Sequence, residues 1–329
     1  MRDFYNIALP ASPYPWQIEQ WQQLIGRAQS GRLPHGLLLV GEEGVGKLNF
    51  AALLVDYLLC NKQGKFACGA CKSCLLRKAG SHPDLKVIEL EDKKKSIGVG
   101  QIRELDDFLA KQSQIGGSRC VLINTVEDLT GAAANALLKG LEEPGENTFL
   151  VLVTHRPSAL LATVKSRCQM IKFATPSAEL AEAWLESKVS ISAKKLLFIA
   201  DGAPIKALEA AGWKWLNERE SMAKQLLALR LGRGDPLKIA TKWQELPINE
   251  VFAWLQHWLL DWLKISQGLA TDNSDLEPVF SSIVKNIEGN SLFEFDEILM
   301  SKRMLLAHEG NPNILLMLEA LLVEWSQLP

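Results

Sequence analysis

The chain has 329 residues, 47% of them hydrophobic and 22% charged, with a formal net charge of −2 at pH 7. Such a length predicts two or three domains with sizeable cores. The near-neutral balance excludes a global basic footprint for nucleic acid, and no run approaches the roughly eighteen consecutive apolar residues of a transmembrane helix.

The opening segment, Met1-Arg2-Asp3-Phe4-Tyr5-Asn6, lacks the apolar stretch of a signal peptide, so a cytoplasmic location is expected. The first strong element is Gly36-Leu37-Leu38-Leu39-Val40, a short apolar run that predicts a buried parallel strand. Gly41-Glu42-Glu43-Gly44-Val45-Gly46-Lys47-Leu48 follows. It fits the phosphate-loop pattern G-x-x-x-x-G-K-[ST] at every position but the last. Gly41, Gly44 and Gly46 let the backbone curl round a phosphate, and Lys47 can reach its outer oxygens. Leu48 lacks the hydroxyl that would hold Mg²⁺, a hard cation that demands oxygen. Glu42 and Glu43 would oppose a triphosphate. Phe50, Leu53, Leu54, Tyr57 and Leu58 then recur at helical spacing, giving the strand–loop–helix context that a phosphate loop requires. A glycine-rich turn without a ligand is the plain alternative.

Four of the six cysteines, Cys60, Cys68, Cys71 and Cys74, follow with the spacing C-x₇-C-x₂-C-x₂-C. Tetrahedral zinc needs four soft ligands, and C-x₂-C turns supply them in pairs. A reducing compartment favours metal over disulfides. Structural Zn²⁺ is the expectation, and an iron–sulfur cluster is the alternative. Cys120 reads as a small core residue. The lysine run Lys93 to Lys95 reads as a solvated loop before a helix.

Arg119-Cys120-Val121-Leu122-Ile123-Asn124 predicts another strand. A hydrolysing P-loop protein ends this strand in acids that hold Mg²⁺ and activate water. Here it ends in Asn124-Thr125, with Glu127 and Asp128 further on. An alanine-rich helix begins at Thr130, a predicted N-cap, and closes at Pro144. Phe149 to Thr154 is a third buried strand. Strands alternating with helices predict a parallel sheet covered on both faces.

Several segments together resemble the clamp-loader family of AAA+ proteins. They are Asn135-Ala136-Leu137-Leu138-Lys139, Leu141-Glu142-Glu143-Pro144, the strand ending in Thr154, Ser166-Arg167-Cys168, and the four-cysteine insertion after the P-loop helix. The resemblance covers roughly residues 10 to 210. It implies an α/β AAA+ P-loop domain with a zinc module over 1–174, a small helical lid over 175–212 and an all-α collar over 213–329. It makes Arg167 an arginine finger, flanked by Ser166 and Cys168, that acts on ATP held by a neighbouring subunit. The bland alternative for Arg167 is a surface salt bridge. Gly41, Gly44, Gly46, Lys47 and Thr154 become a vestigial nucleotide site, with room for weak binding of ATP but no hydrolysis. Gly202 to Leu208 resembles the lid segment that carries a nucleotide-sensing arginine, and Ile205 stands at that place.

The implied role is a non-hydrolysing subunit of the bacterial DNA polymerase III clamp loader. Its implied partners are an ATPase subunit of gamma or tau type, the delta subunit, the sliding clamp indirectly or weakly, and primed DNA within a hetero-pentamer. No membrane partner is implied. A second reading is the ATP-hydrolysing motor subunit of the same machine. A third, from a different class, is a zinc-containing nucleic-acid-binding module with a vestigial P-loop.

Beyond Trp213 the sequence predicts helices, broken near Gly232 to Pro236, Gly268 to Ser274 and Gly310-Asn311-Pro312. Thr175-Pro176-Ser177 marks a hinge, with Ser177 a candidate N-cap. Trp254, Trp258 and Trp262 recur every fourth residue and share one helix face. That stripe reads as a buried helical seam, with a base-stacking platform as the alternative.

Overall fold

A computed structural model describes residues 10–62, 64–91, 94–212, 218–271, 273, 275–308 and 312–329. Residues 1–6, Lys93, Trp213, Ser274, Gly310 and Asn311 lie outside the described residues, and so do the readings that rest on them. The chain forms two compact units. One comprises Met1–Ala193 with Ala200–Leu208, the other Lys194–Ile199 with Glu209–Pro329.

The first unit is built on a parallel sheet. Its strands are β1 (Gly36–Val40), β2 (Leu85–Ile88), β3 (Arg119–Ile123), β4 (Thr148–Thr154) and β5 (Gln169–Lys172). They lie side by side in the order β2-β3-β4-β1-β5, all parallel. Successive side chains on a strand point to opposite faces. Leu37 and Leu39 of β1, with Cys120 and Leu122 of β3, join a core on one face. That face is covered by α1 (Ile18–Gln29) and α2 (Lys47–Leu59), which contribute Trp21, Leu24, Phe50 and Tyr57. Leu38, Val40, Val121 and Ile123 enter the opposite core. Residues of α4 (Val99–Leu109) and α5 (Gly131–Glu142), including Ile102, Leu105 and Leu137, close that side. Both faces are therefore buried, as the unbroken apolar strands require.

The predicted caps form. Thr130 Oγ1 accepts from the Ala133 N–H at 3.2 Å, starting α5. Ser177 Oγ accepts from the Leu180 N–H at 3.3 Å, starting α7 (Ala178–Glu186). Between α5 and α7 lie α6 (Ala162–Lys165) and β5. α3 (Lys72–Lys78) follows the cysteine-rich loop and is tied to α2 by an Arg77–Asp56 ion pair at 2.7 Å. Burial raises the Asp56 carboxyl to about 6, against the opposing pull of Arg77. After α7 come α8 (Ala193–Ile199) and α9 (Pro204–Ala210).

The second unit carries helices α10 (Glu218–Arg230), α11 (Pro236–Trp243), α12 (Ile248–Ser266), α13 (Glu277–Val284), α14 (Gly289–His308) and α15 (Ile314–Gln327). The predicted break before α11 is made by Asp235, whose Oδ1 accepts from the Leu237 N–H at 3.0 Å, with Pro236 opening the helix. Trp254, Trp258 and Trp262 are no more than 1% exposed. They pack with Phe280, Phe295 and Trp325 in one core. The tryptophan stripe is a buried seam, and the base-stacking alternative is overturned because no ring face is open to a base.

Candidate functional site

The phosphate loop leaves the C-terminal end of β1, the edge of a parallel sheet where ligands bind. Gly44 and Gly46 adopt φ of 78° and 87°, a region that favours glycine. Gly46 is also closely approached. A Cβ there would lie 2.7 Å from the Tyr14 ring. Trp16 Nε1 donates to the Val45 carbonyl at 2.9 Å, and Gln17 Nε2 donates to the Val45 and Gly46 carbonyls at 3.0 Å. The backbone N–H of Ile205, at the start of α9, donates to the Gly44 carbonyl at 2.8 Å. The loop is thus clamped from the N-terminal segment and from α9.

Lys47 is 2% exposed. Its ammonium donates to the carbonyls of Gly41 and Glu42, each at 2.6 Å, and meets His155 Nδ1 at 2.8 Å. An ammonium has three N–H donors, and all three have acceptors inside the chain. Burial pushes Lys47 down to about 8, against the raising pull of Glu127, Glu43 and Glu42. Burial and the Lys47 charge lower His155, keeping its ring neutral and Nδ1 able to accept.

Leu48 is 7% exposed and belongs to the α2-side core. A cavity of about 190 Å³ beside the loop is lined by Glu43, Lys47, Leu48, Asn124, Thr125 and His155, among others. Thr154 is fully buried, and its hydroxyl accepts from the Arg156 N–H at 3.1 Å. His155, the next residue, faces the loop lysine instead. Glu127 follows the end of β3. Its Oε1 accepts from the N–H groups of His155 and Arg156 at 2.8 and 3.2 Å.

Cys60, Cys68, Cys71 and Cys74 converge, with all four sulfurs within 4.8 Å of one another. Cys60 and Cys71 Sγ are 4.0 Å apart, and Cys68 and Cys74 Sγ are 3.9 Å apart. Zn–S bonds of about 2.3 Å place tetrahedral sulfurs about 3.8 Å apart, so the four thiols can hold a metal ion of that kind. Backbone N–H groups of Cys68 and Cys71 donate to the sulfurs of Cys60 and Cys68, each at 3.3 Å. The Cys74 N–H holds the Cys71 thiol at about 6, and the Ala70 N–H lowers Cys68. Burial raises the Cys74 thiol. Behind the cluster, Ser73 Oγ donates to the Leu59 carbonyl at 2.5 Å and pairs with His82 Nε2 at 2.7 Å.

Arg167 follows α6 at the other end of β1. A Cβ on Gly36 would lie 2.9 Å from the Arg167 carbonyl and 3.5 Å from Cys168 Sγ. Five residues of strand at about 3.3 Å each separate this end from the phosphate loop. Cys168 is half-buried, and burial pushes its thiol up to about 11. The Arg167 guanidinium donates from Nε to Glu142 Oε1 at 2.7 Å and from Nη1 to the Thr163 carbonyl at 3.0 Å. Its Nη2 also contacts Glu142 Oε1, and Nη1 lies 3.4 Å from Ser166 Oγ.

Sequence reasoning placed the loop, the cysteines and Arg167 in separate elements. The structure brings Lys47 to His155 and Arg167 to Glu142, and it keeps the two sites at opposite ends of β1. The roles of Trp16, Gln17 and His155 were missed. The signal for His155 is its position one residue past a buried strand end. Trp16 and Gln17 carry none.

A family model described as DNA polymerase III, delta subunit, matches residues 16–177. A second, DNA polymerase III, delta subunit, C terminal, matches residues 214–327. DNA polymerase III subunit delta' of Pseudomonas aeruginosa is 34% identical, over 97% of this chain and 99% of the relative. The subunit delta' of Escherichia coli K12 is 35% identical over 85% of each. A solved structure of a DNA polymerase III gamma subunit-related protein from Thermotoga maritima is 20% identical with a TM-score of 0.48, covering 94% of this chain and 98% of that one. No helix among the described residues is long and apolar enough to cross a membrane. The chain belongs to the DNA polymerase III delta' subunit family.

Proposed function

We propose that the chain is a non-hydrolysing subunit of a clamp loader, helping to place a sliding clamp on primed DNA in the cytoplasm. It donates Arg167 to ATP held by a gamma- or tau-type neighbour and assembles with that neighbour and a delta subunit in a hetero-pentamer. Its division into a P-loop domain (1–174), a lid (175–212) and a collar (213–329) belongs to the same proposal.

The observation that carries it is the state of Lys47. Each of its donors is satisfied by the chain itself, so a phosphate must displace a protein acceptor to gain it. Leu48 and Asn124 line the cavity where Mg²⁺ ligands would be needed. The cavity's volume of about 190 Å³ is below the ~300–1,000 Å³ of ordinary small-molecule sites. Arg167, at the far end of β1, is out of reach of its own loop, which leaves another subunit's ATP as its target. In the neighbour, water attacks the γ-phosphorus and the bond to the β,γ-bridging oxygen breaks. ADP leaves with the electron pair, and the water proton passes to solvent. A guanidinium at the γ-phosphoryl oxygens is worth about 10³–10⁵ in rate.

The cysteine cluster is proposed to hold structural Zn²⁺. Four thiols complete its coordination, which leaves no open position for a substrate and suits a staple.

Mg²⁺-ATP turnover by the purified chain tests the reading. No turnover is expected. Turnover that depends on Lys47 would instead establish the motor-subunit alternative.

A further inference from the structure

Arg167 is the group on which the proposed function turns, yet in this chain it is not a loose side chain. Among the described residues, four of its five N–H donors have acceptors. Glu142 Oε1 takes Nε and Nη2, Thr163 takes one donor of Nη1, and Ser166 takes the other at a weak 3.4 Å. The carboxylate comes from the last residue of α5, and that end is fixed. His35 Nε2 meets the Leu141 carbonyl at 2.9 Å, and the Glu143 N–H donates to Lys139. Both partners are partly exposed, with side chains 34% and 51% accessible. An exposed pair adds little to fold stability. What it fixes is the direction of the guanidinium plane.

We propose that Glu142 is a positioning residue for Arg167. It grips the Nε edge and leaves the second N–H of Nη2, with the weakly held one of Nη1, for an incoming phosphoryl oxygen. This inference rests on the finger reading and adds to it the carboxylate that aims the finger.

Two effects of Glu142 oppose each other. Its charge offsets part of the attraction between Arg167 and a phosphate, by about fivefold for contact in water. Misplacement of a catalytic group by about 1 Å costs about 10²-fold. The proposal is that orientation outweighs the lost charge, so that removing Glu142 slows the neighbour rather than speeding it.

The test uses the full chain reconstituted with its ATP-hydrolysing neighbour, with kcat and KM for ATP measured separately. Glu142→Ala is expected to lower kcat by about two- to fivefold, with KM and assembly unchanged. Glu142→Gln keeps an acceptor oxygen and should recover most of that loss. If Glu142→Ala left kcat at the wild-type value, or raised it, the carboxylate would be a surface partner or a competitor, and the inference would fail. Arg167→Ala, run alongside, separates the two readings. If it lowers kcat while Glu142→Ala does not, only the positioning role is lost. If Arg167→Ala has no effect, the finger and its support are both overturned.

Discussion

The Lys47 ammonium and the His155 imidazole meet at 2.8 Å, although 108 residues separate them in sequence. The contact joins the loop after β1 to the residue after β4, two adjacent strands at their C-terminal ends. It places a protein acceptor where a phosphate loop usually offers its lysine to a ligand. Replacing His155 by Ala removes one of three acceptors and frees a donor. Phosphate or ADP should then bind the His155→Ala chain more tightly than wild type, as isothermal titration would measure, still without Mg²⁺ dependence because Leu48 is unchanged.

Buried Lys47 also makes stability depend on pH. Its folded value of about 8 lies below the ordinary 10.5, so the folded state binds fewer protons than the unfolded state between these values. Stability rises with pH wherever the unfolded state holds more protons. The burial penalty of the charged form is fully present below about pH 8 and is relieved as pH climbs toward 10.5. Relative to Lys47→Met, the wild-type chain should therefore gain stability from pH 8 to 10 in denaturant titrations, and show a constant difference below pH 7.

The four-cysteine cluster should bind one Zn²⁺ per chain, measured by elemental analysis. Structural zinc stabilises by binding only the folded state. A loss of even ~2 kcal/mol would lower Tm by about 4–8 °C in a unit of this size. Chelation, or Cys71→Ser, should produce at least that shift. An unchanged Tm after metal removal would leave the cluster without a structural role.

Trp258 is buried between Trp254 and Phe280. Trp258→Ala should cost about 3–5 kcal/mol in the second unit by chemical denaturation. Binding of single-stranded DNA by the isolated chain should be equally weak before and after, since no tryptophan of this seam is available for stacking.

The central strands were legible because they are unbroken apolar runs ended by glycine or turn residues. β1 matches its predicted bounds, and β3 and β4 differ from theirs by one residue. The edge strands were not. β2 (Leu-Lys-Val-Ile) and β5 (Gln-Met-Ile-Lys) are short and partly exposed, so polar residues interrupt their apolar character. The cysteine spacing revealed its cluster because the ligands are local in sequence. The clamps on the phosphate loop were hidden for the opposite reason. Trp16 and Gln17 reach Val45 across 28 or 29 residues, and nothing in their local pattern announces it. Glu142 and Arg167 each belonged to a legible motif, but their pairing follows from the way α5 and the turn after α6 meet at the start of β1.

Two substitutions in this chain, compared within the reconstituted loader, separate a finger donor from an ATPase. DNA-stimulated ATP hydrolysis by the complex is the readout. Arg167→Ala should reduce turnover about 10³-fold at the site it serves, with assembly intact, while Lys47→Ala should leave turnover near wild type. The reverse pattern, turnover lost with Lys47→Ala and kept with Arg167→Ala, would rule out the finger role and make this chain an ATPase in its own right.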